Sequence, residues 1–339
     1  MKTGKAELAS VGPLAFAPDG VLLVSDPKGA AIFAIATGDT RAAPSTTLSI
    51  RAVDEKIAAL LGTTRDQITI VDLAVNPVSH QAYLSVARGR GPDAAPVIVR
   101  AAQDGTLSLL DLDKVRFARA DLPNPPADVV PAEGNRRGNP RMESITDIAF
   151  VDGQVIIAGL SNEEFASTLR TIPFPFTGSA AGASVEIYHG AHGKFETNSP
   201  IRTFATHKIN GETHILAAYT CTPLVTIPAT ALTGGAHVKG TTIAELGNRN
   251  RPLDMIVYSK QDRDFLLMAN SARGVMKMSA EKLDGFAPIT APVADKQGVP
   301  YETLADWSAV TQLALLDSSH ALVMRQLDGG VQLEARALP

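Results

Sequence analysis

Cysteine is almost missing from this chain: Cys221 is the only one in 339 residues. A single thiol excludes a disulfide framework and any zinc or iron–sulfur site built from several cysteines. Trp307 is the only tryptophan, so no Trp-Asp repeat runs through the chain. Neither sign of charge dominates, with 31 Lys and Arg against 35 Asp and Glu and a net charge of -4. No broad basic field exists to hold a nucleic acid, and none is expected as a partner. Long apolar runs are absent too. The longest, Gln154–Leu160 and Thr311–Leu316, are strand length, against the roughly 20 residues of a membrane helix. No membrane span is therefore expected. Met1–Ser10 carries no apolar signal core. A periplasmic or secreted chain without its signal, or a cytoplasmic one, fits this equally. Also missing are a Gly-x-Ser-x-Gly elbow, a Gly-rich phosphate loop and a His-Glu-x-x-His motif.

What is present is a core and many turns. Hydrophobic residues make up 45% of the chain, which excludes a disordered one, and 27 Gly with 22 Pro supply turns. Length alone suggests about two domains. A repeat overrides that. Polar or Pro, apolar, Ala, apolar, then a turn recurs at Pro13–Phe16, Asp72–Val75, Asp147–Phe150 and Thr203–Thr206. It returns at Gln312–Leu315 and, without the Ala, at Asp254–Val257. After each turn comes a second strand rich in β-formers: Val21–Ser25, Gln81–Ala87, Gln154–Gly159, Thr213–Thr220, Asp264–Ala269 and Ala321–Arg325.

Six such units consume the whole chain. The fold expected is all-β: a six-bladed β-propeller of four-stranded antiparallel blades, forming a single domain over 1–339. A seventh blade hidden in the long second unit is the rival. The sixth unit lacks a fourth strand, and Lys5–Ala9 is expected to supply it and close the ring. Insertions fall near 53–62, 113–141 and 284–306. Val53–Leu61 has helical spacing with Gly62 as its stop, whereas Asp113–Arg141 is rich in Pro, Asn and Arg and reads as a loop.

Strand direction alternates within a blade, which sorts polar residues onto two faces. The bottom holds a cross-strand pair, His207 and His214, if Asn210-Gly211 is a two-residue turn. The top collects more chemistry. His189, His192 and Glu196 in one Gly-rich loop offer ligands for zinc, copper or iron, and Cys221 could add a soft one. Asp72, Asp147 and Asp254 occupy one repeat position and, with Glu143, could hold a hard cation such as Ca²⁺. The alternative for these Asp residues is hydrogen bonding to neighbouring loop backbone. Arg136 and Arg137 also fall on this face, and Arg88, Arg90, Arg141, Arg249, Arg251 and Arg273 surround it. With Asn162, Glu163 and Asn270 they suit an anionic ligand. Glu163 or Glu164 could also serve as a general base.

The hairpin Leu14-Ala15-Phe16-Ala17-Pro18-Asp19-Gly20-Val21-Leu22-Leu23-Val24-Ser25-Asp26 resembles six-bladed propellers of the NHL and SMP-30/gluconolactonase-like type. That resemblance implies either a pure binding module or a metal-dependent lactonase or esterase. The latter would use a Glu, an Asn and an Asp as ligands, here Glu143, Asn270 and Asp254. Three functions compete. The first is a binding propeller whose top face takes a small anionic molecule or a protein partner. The second is a hydrolase with an axial cation. The third is a copper or other redox-metal protein built on His189, His192 and Cys221. One divalent metal, Ca, Zn or Cu, is the expected cofactor if there is one.

Overall fold

The structure is a computed structural model that describes residues 1–44, 48–129, 138–178, 180–221 and 223–339. Arg136 and Arg137 lie outside the described residues. The fold is a six-bladed β-propeller, each blade a sheet of four to six strands and almost wholly antiparallel. Blades are numbered here by the order of their innermost strands along the chain. These strands are Leu14–Ala17, Ile68–Val75, Asp147–Val151, Thr203–Ile209, Pro252–Lys260 and Val310–Leu315. Each pairs with the strand that follows its turn, as the repeat requires.

The chain divides into two compact units. One comprises Met1–Leu122, Phe174–Thr177 and Gln312–Pro339, and the other Pro123–Pro173 and Gly178–Thr311. The first unit contains blades 1, 2 and 6, and its order in space is not its order along the chain. Blade 2 lies between the other two. One of its faces gives Ala82, Leu84, Val86, Val99 and Ala101 to a core shared with Leu322, Met324 and Leu333 of blade 6. The opposite face gives Tyr83 and Ile98 to a core shared with Leu22, Val24 and Phe33 of blade 1. Strand alternation makes this possible, because residues one apart point to opposite faces.

Two sequence expectations fail for the same reason. Lys5–Ala9 does not complete blade 6. Its end is held instead by Asp26, whose carboxylate accepts from the Ala9 and Ser10 amides at 2.8 Å. The fourth strand of blade 6 is Ser49–Ile50, paired with Glu334 and Leu333. The segment Val115–Asp121, expected as loop, is a full strand against Ala31–Ala36 of blade 1. Its Val115 and Phe117 are buried with exposed Arg116 between them, and the alternation ends there, because Arg119 on the same face as Val115 and Phe117 is exposed. Lys2–Gly4 then pairs on its outer edge. The chain leaves blade 1 after three strands, crosses to the edge of blade 6, builds blade 2, and only then returns to finish blade 1.

The crossing is pinned by one buried carboxylate. Asp39 Oδ2 accepts from Ser79 Oγ at 2.5 Å and from Asn76 Nδ2 and Tyr83 Oη at 3.1 Å; Oδ1 accepts from Gln81 Nε2 at 2.9 Å. All four donors belong to blade 2. Burial pushes the Tyr83 phenol up to about 12, so it stays protonated and able to donate. The helix that follows, Val53–Leu60, buries Val53, Ile57 and Ala58 in the core of blades 2 and 6. Its Asp54 accepts from the Val331 amide at 2.9 Å.

The second unit holds blades 3, 4 and 5 in chain order. Blades 3 and 4 share a core around Leu169, Val185, Ile215 and Val225. Blades 4 and 5 share another around Leu216, Leu224, Leu266 and Met268. The 284–306 segment supplies edge strands here: Lys296–Gly298 as a fifth strand on blade 4 and Glu302–Leu304 as the fourth strand of blade 5.

Removing the Asp39 carboxylate strands several buried donors, so Asp39→Ala should lower stability by about 3 kcal/mol. Urea unfolding, read as a shift of the midpoint at unchanged slope, measures it.

Candidate functional site

The most concentrated chemistry lies on the outer strand of blade 3. Ala181–His189 runs into a tight turn and returns as Lys194–Glu196, with Ile187 opposite Glu196 and His189 opposite Lys194. Gly193 takes a left-handed φ of 64° that closes the turn. Alternation puts His189 and Glu196 on one face and Tyr188 and Phe195 on the other, where their rings meet edge to face at 5.2 Å. His192, within the turn, folds over the same face as His189, the two imidazole centroids being 3.9 Å apart.

Glu196 organises the cluster. His189 Nδ1 lies 3.1 Å from its Oε2 and His192 Nδ1 lies 2.6 Å from its Oε1, and Ser199 Oγ donates to Oε2 at 2.7 Å. The hydrogen bond with His189, then those with Ser199 and His192, hold the carboxyl down at about 2 against the opposing effect of burial. Ligand atoms of His189, His192 and Glu196 all lie within 4.8 Å of one another, a convergence of three donors among the described residues. His189 is buried, and its Nε2 has no hydrogen-bond partner among them.

A fourth group backs this cluster. Glu245, on the neighbouring strand Thr241–Leu246, is 1% exposed. Its Oε1 accepts from the Gly190 amide at 2.5 Å, and its Oε2 has no partner among the described residues. Burial raises its pKa, and the charge of His189 beside it acts in the opposite direction. Gly190 makes this approach possible, since a Cβ there would sit 3.0 Å from Glu245 Cγ. Neither Glu245 nor Ser199 was among the sequence candidates. The available signal for Glu245 is a lone carboxylate within an otherwise uncharged, mostly buried strand.

Other candidates are already engaged. Asp147 Oδ2 accepts from the Phe204 amide of blade 4 at 2.7 Å, and its Oδ1 from Ile148 at 2.8 Å. Asp72 accepts from Leu14 of blade 1 at 2.6 Å, and Asp254 from Met255 at 2.7 Å. These contacts match the backbone-bonding alternative for the Asp column. Glu143 is paired with Arg202 at 2.6 Å. Cys221 does not belong to the His189 cluster: its amide donates to Asn250 O at 2.9 Å, in the loop between blades 4 and 5.

The polar candidates scatter. Asn270 is buried and bonds Asn250 and the amides of Ala272 and Arg273. Arg273 donates to Asn248 O and packs on Gly247, where a Cβ would fall on its guanidinium. Arg141 donates to Pro126 O at 2.5 Å. Arg90 donates to Asp66 O and Thr69 Oγ1, and Arg88 is exposed at its strand end. The Asn162 amide and Glu163 carboxylate both hold Asn124. Arg249 and Arg251 are exposed. On the bottom, His207 does face His214 in register. His207 Nδ1 lies 3.8 Å from Asp264, and His214 Nδ1 lies 3.1 Å from Glu212 O, so each ring turns to a different neighbour.

No family model matches the chain, and no curated protein matches it. Solved structures with weak likeness include a glucose dehydrogenase at 12% identity, covering all of both chains with a TM-score of 0.40. The PQQ-bound form of an aldose sugar dehydrogenase from Streptomyces coelicolor is 13% identical, covers 100% of this chain and 97% of its own, and scores 0.35. A streptogramin B lyase is 8% identical over 99% and 97%, and scores 0.43. Likeness at this level leaves function to be argued from the residues themselves.

Although part of its surface reaches solvent, the Asp147 carboxyl is desolvated, and burial pushes it up to about 7 despite the hydrogen bonds it accepts. A folded-state pKa above the unfolded value means that the native state binds the extra proton. Stability contributed by that proton is present below about 4 and is lost as pH rises to about 7. The Asp147 carboxyl carbon should therefore titrate near 7 by NMR, and Asp147→Asn should flatten the fall in stability over that window.

Proposed function

We propose that the chain is a binding propeller whose outer blade 3 hairpin holds one divalent transition metal through His189, His192 and Glu196. The observation that carries this reading is the convergence of those three donors within 4.8 Å beside a buried imidazole nitrogen that lacks a partner. Two imidazoles and one carboxylate suit zinc or copper. They do not suit Ca²⁺, which takes six to eight oxygens. Three protein ligands leave a coordination position for a further molecule. Bound metal would act there as a Lewis acid or as an anchor for that molecule.

The chain's own residues prepare the site. Glu196 is ionised at neutral pH, as a ligand must be. Ser199 fixes one of its oxygens. Through Nδ1, His189 faces Glu196, which leaves Nε2 toward the protein interior, where Glu245 is the buried carboxylate. No hydrogen bond joins Glu245 to that nitrogen, so Glu245 would act on the ligating histidine through its charge and through the Gly190 amide that it holds. The binding function expected from the sequence is kept, and Cys221 drops out of the ligand set. No observation favours the hydrolase with an axial cation, because Asp72, Asp147 and Asp254 are occupied by backbone amides.

Protein purified without added metal, stripped with chelator and titrated with Zn²⁺ and Cu²⁺, tests this directly. One equivalent should bind, and at about 100 times Kd the metal should raise stability by about 2.7 kcal/mol. His192→Ala should abolish the effect, His214→Ala should leave it intact, and Glu245→Gln should weaken affinity by roughly 10–100-fold. Stabilisation that is absent, or that is equal in His192→Ala, would overturn the assignment.

A further inference from the structure

A second cluster in the same unit is made by residues at the entrances of three successive blades, and the metal reading does not use it. Glu143 precedes the innermost strand of blade 3, Arg202 that of blade 4, and Arg251 that of blade 5. Arg202 Nη1 is held by Glu143 at 2.6 Å, and its Nε donates to Thr220 Oγ1 at 3.2 Å. The next residue, Cys221, bonds through its amide to Asn250 O, which brings this loop against the segment leading to Arg251. Arg251 is fixed through its backbone. Its amide donates to Ser271 Oγ at 2.9 Å, and its carbonyl accepts from the Ser271 amide at 2.9 Å.

The Arg251 guanidinium makes no hydrogen bond and no ion pair within 4 Å among the described residues. Although Arg251 is exposed overall, partial desolvation of its guanidinium, followed by the charge of Arg202, lowers its pKa, while Glu143 acts in the opposite direction. Two guanidinium groups with one carboxylate leave the cluster one positive charge in excess. The hydroxyls of Thr220 and Ser271 each accept one bond from this cluster, and their protons have no acceptor among the described residues. Thr220 Oγ1 sits on the Arg202 side chain and Ser271 Oγ on the Arg251 backbone amide, and a guanidinium fork matches the two oxygens of a carboxylate.

From this we infer that Arg251 and Arg202, with Thr220 and Ser271, bind the carboxylate of a small monoanionic organic molecule at the inner entrance of blades 4 and 5. Glu143 orients Arg202 and balances its charge. A monoanion neutralises the cluster, whereas a phosphate dianion would leave it with one negative charge in excess. Arg202 was not among the sequence candidates, because its role depends on neighbours far away in the chain.

Full-length protein, treated with chelator so that metal plays no part, is titrated with acetate and separately with inorganic phosphate, chloride keeping ionic strength constant. The Nε–Hε resonances of Arg202 and Arg251 are followed by NMR. Acetate should shift both saturably and bind more tightly than phosphate. Arg251→Gln should weaken acetate at least ~10-fold, with Arg251→Lys falling between the two. Each variant should keep the wild-type unfolding midpoint. Shifts that grow linearly with salt, or binding unchanged in Arg251→Gln, would overturn the site. Phosphate binding as tightly as acetate would overturn the carboxylate assignment. Binding lost on chelation would move the anion to the metal centre and overturn it as well. Metal titration of Arg251→Gln should match wild type, so failure here is separable from failure of the metal reading.

Discussion

The buried carboxylate of Asp39 is the contact on which the arrangement of the first unit depends. A segment that crosses from one blade to the far edge of another cannot use regular strand pairing while it crosses. Its polar groups need fixed partners, and an uncompensated buried charge would be costly. Asp39 meets that requirement with donors from Asn76, Ser79, Gln81 and Tyr83 of the blade it passes. Blade 2 is thereby tied beneath the crossing chain, and its two faces are committed to different neighbours. The outer strands of blades 1 and 6 follow from that commitment, because the chain must leave blade 1 unfinished and return to it.

Half-buried carboxylates play a similar part along the innermost strands. Asp72 and Asp147 each take an amide from an adjacent blade, so one side chain serves as a clasp between sheets that share no strand pairing. These residues are in demand structurally, which explains why the most repeated acidic position in the chain is not where a metal is proposed. The proposed metal centre lies instead on the outermost hairpin of blade 3, where Gly190 and Gly193 let a histidine-bearing turn fold against Glu245. The two polar clusters divide the chemistry of the second unit. One is rich in imidazole and carboxylate and suits a cation; the other is rich in guanidinium and suits an anion.

Much of this was legible in the sequence. The hairpins, their turns and the facing of His207 and His214 follow from alternation and Asn-Gly or Asp-Gly turns, because strand register is a local property. The grouping of His189, His192 and Glu196 was legible too, since one tight turn brings them together. Glu245 and Arg202 were not, because each becomes meaningful only beside a residue more than fifty positions away. Val115–Asp121 carries little local sign of a strand, because its alternation stops at Phe117 and nothing nearby in the chain shows which sheet it joins.

The sequence by itself determined that the chain is a six-bladed propeller, where each blade begins, and which turn carries the histidines. Short-range periodicity and turn chemistry set all of these. Only the tertiary structure decided that blade 2 lies between blades 1 and 6, that Ser49–Ile50 rather than Lys5–Ala9 completes blade 6, and that Cys221 stands apart from the histidines. Those outcomes rest on which buried faces and carboxylates find each other across long separations. No local pattern encodes that choice, because every blade presents a similar apolar face to its neighbour.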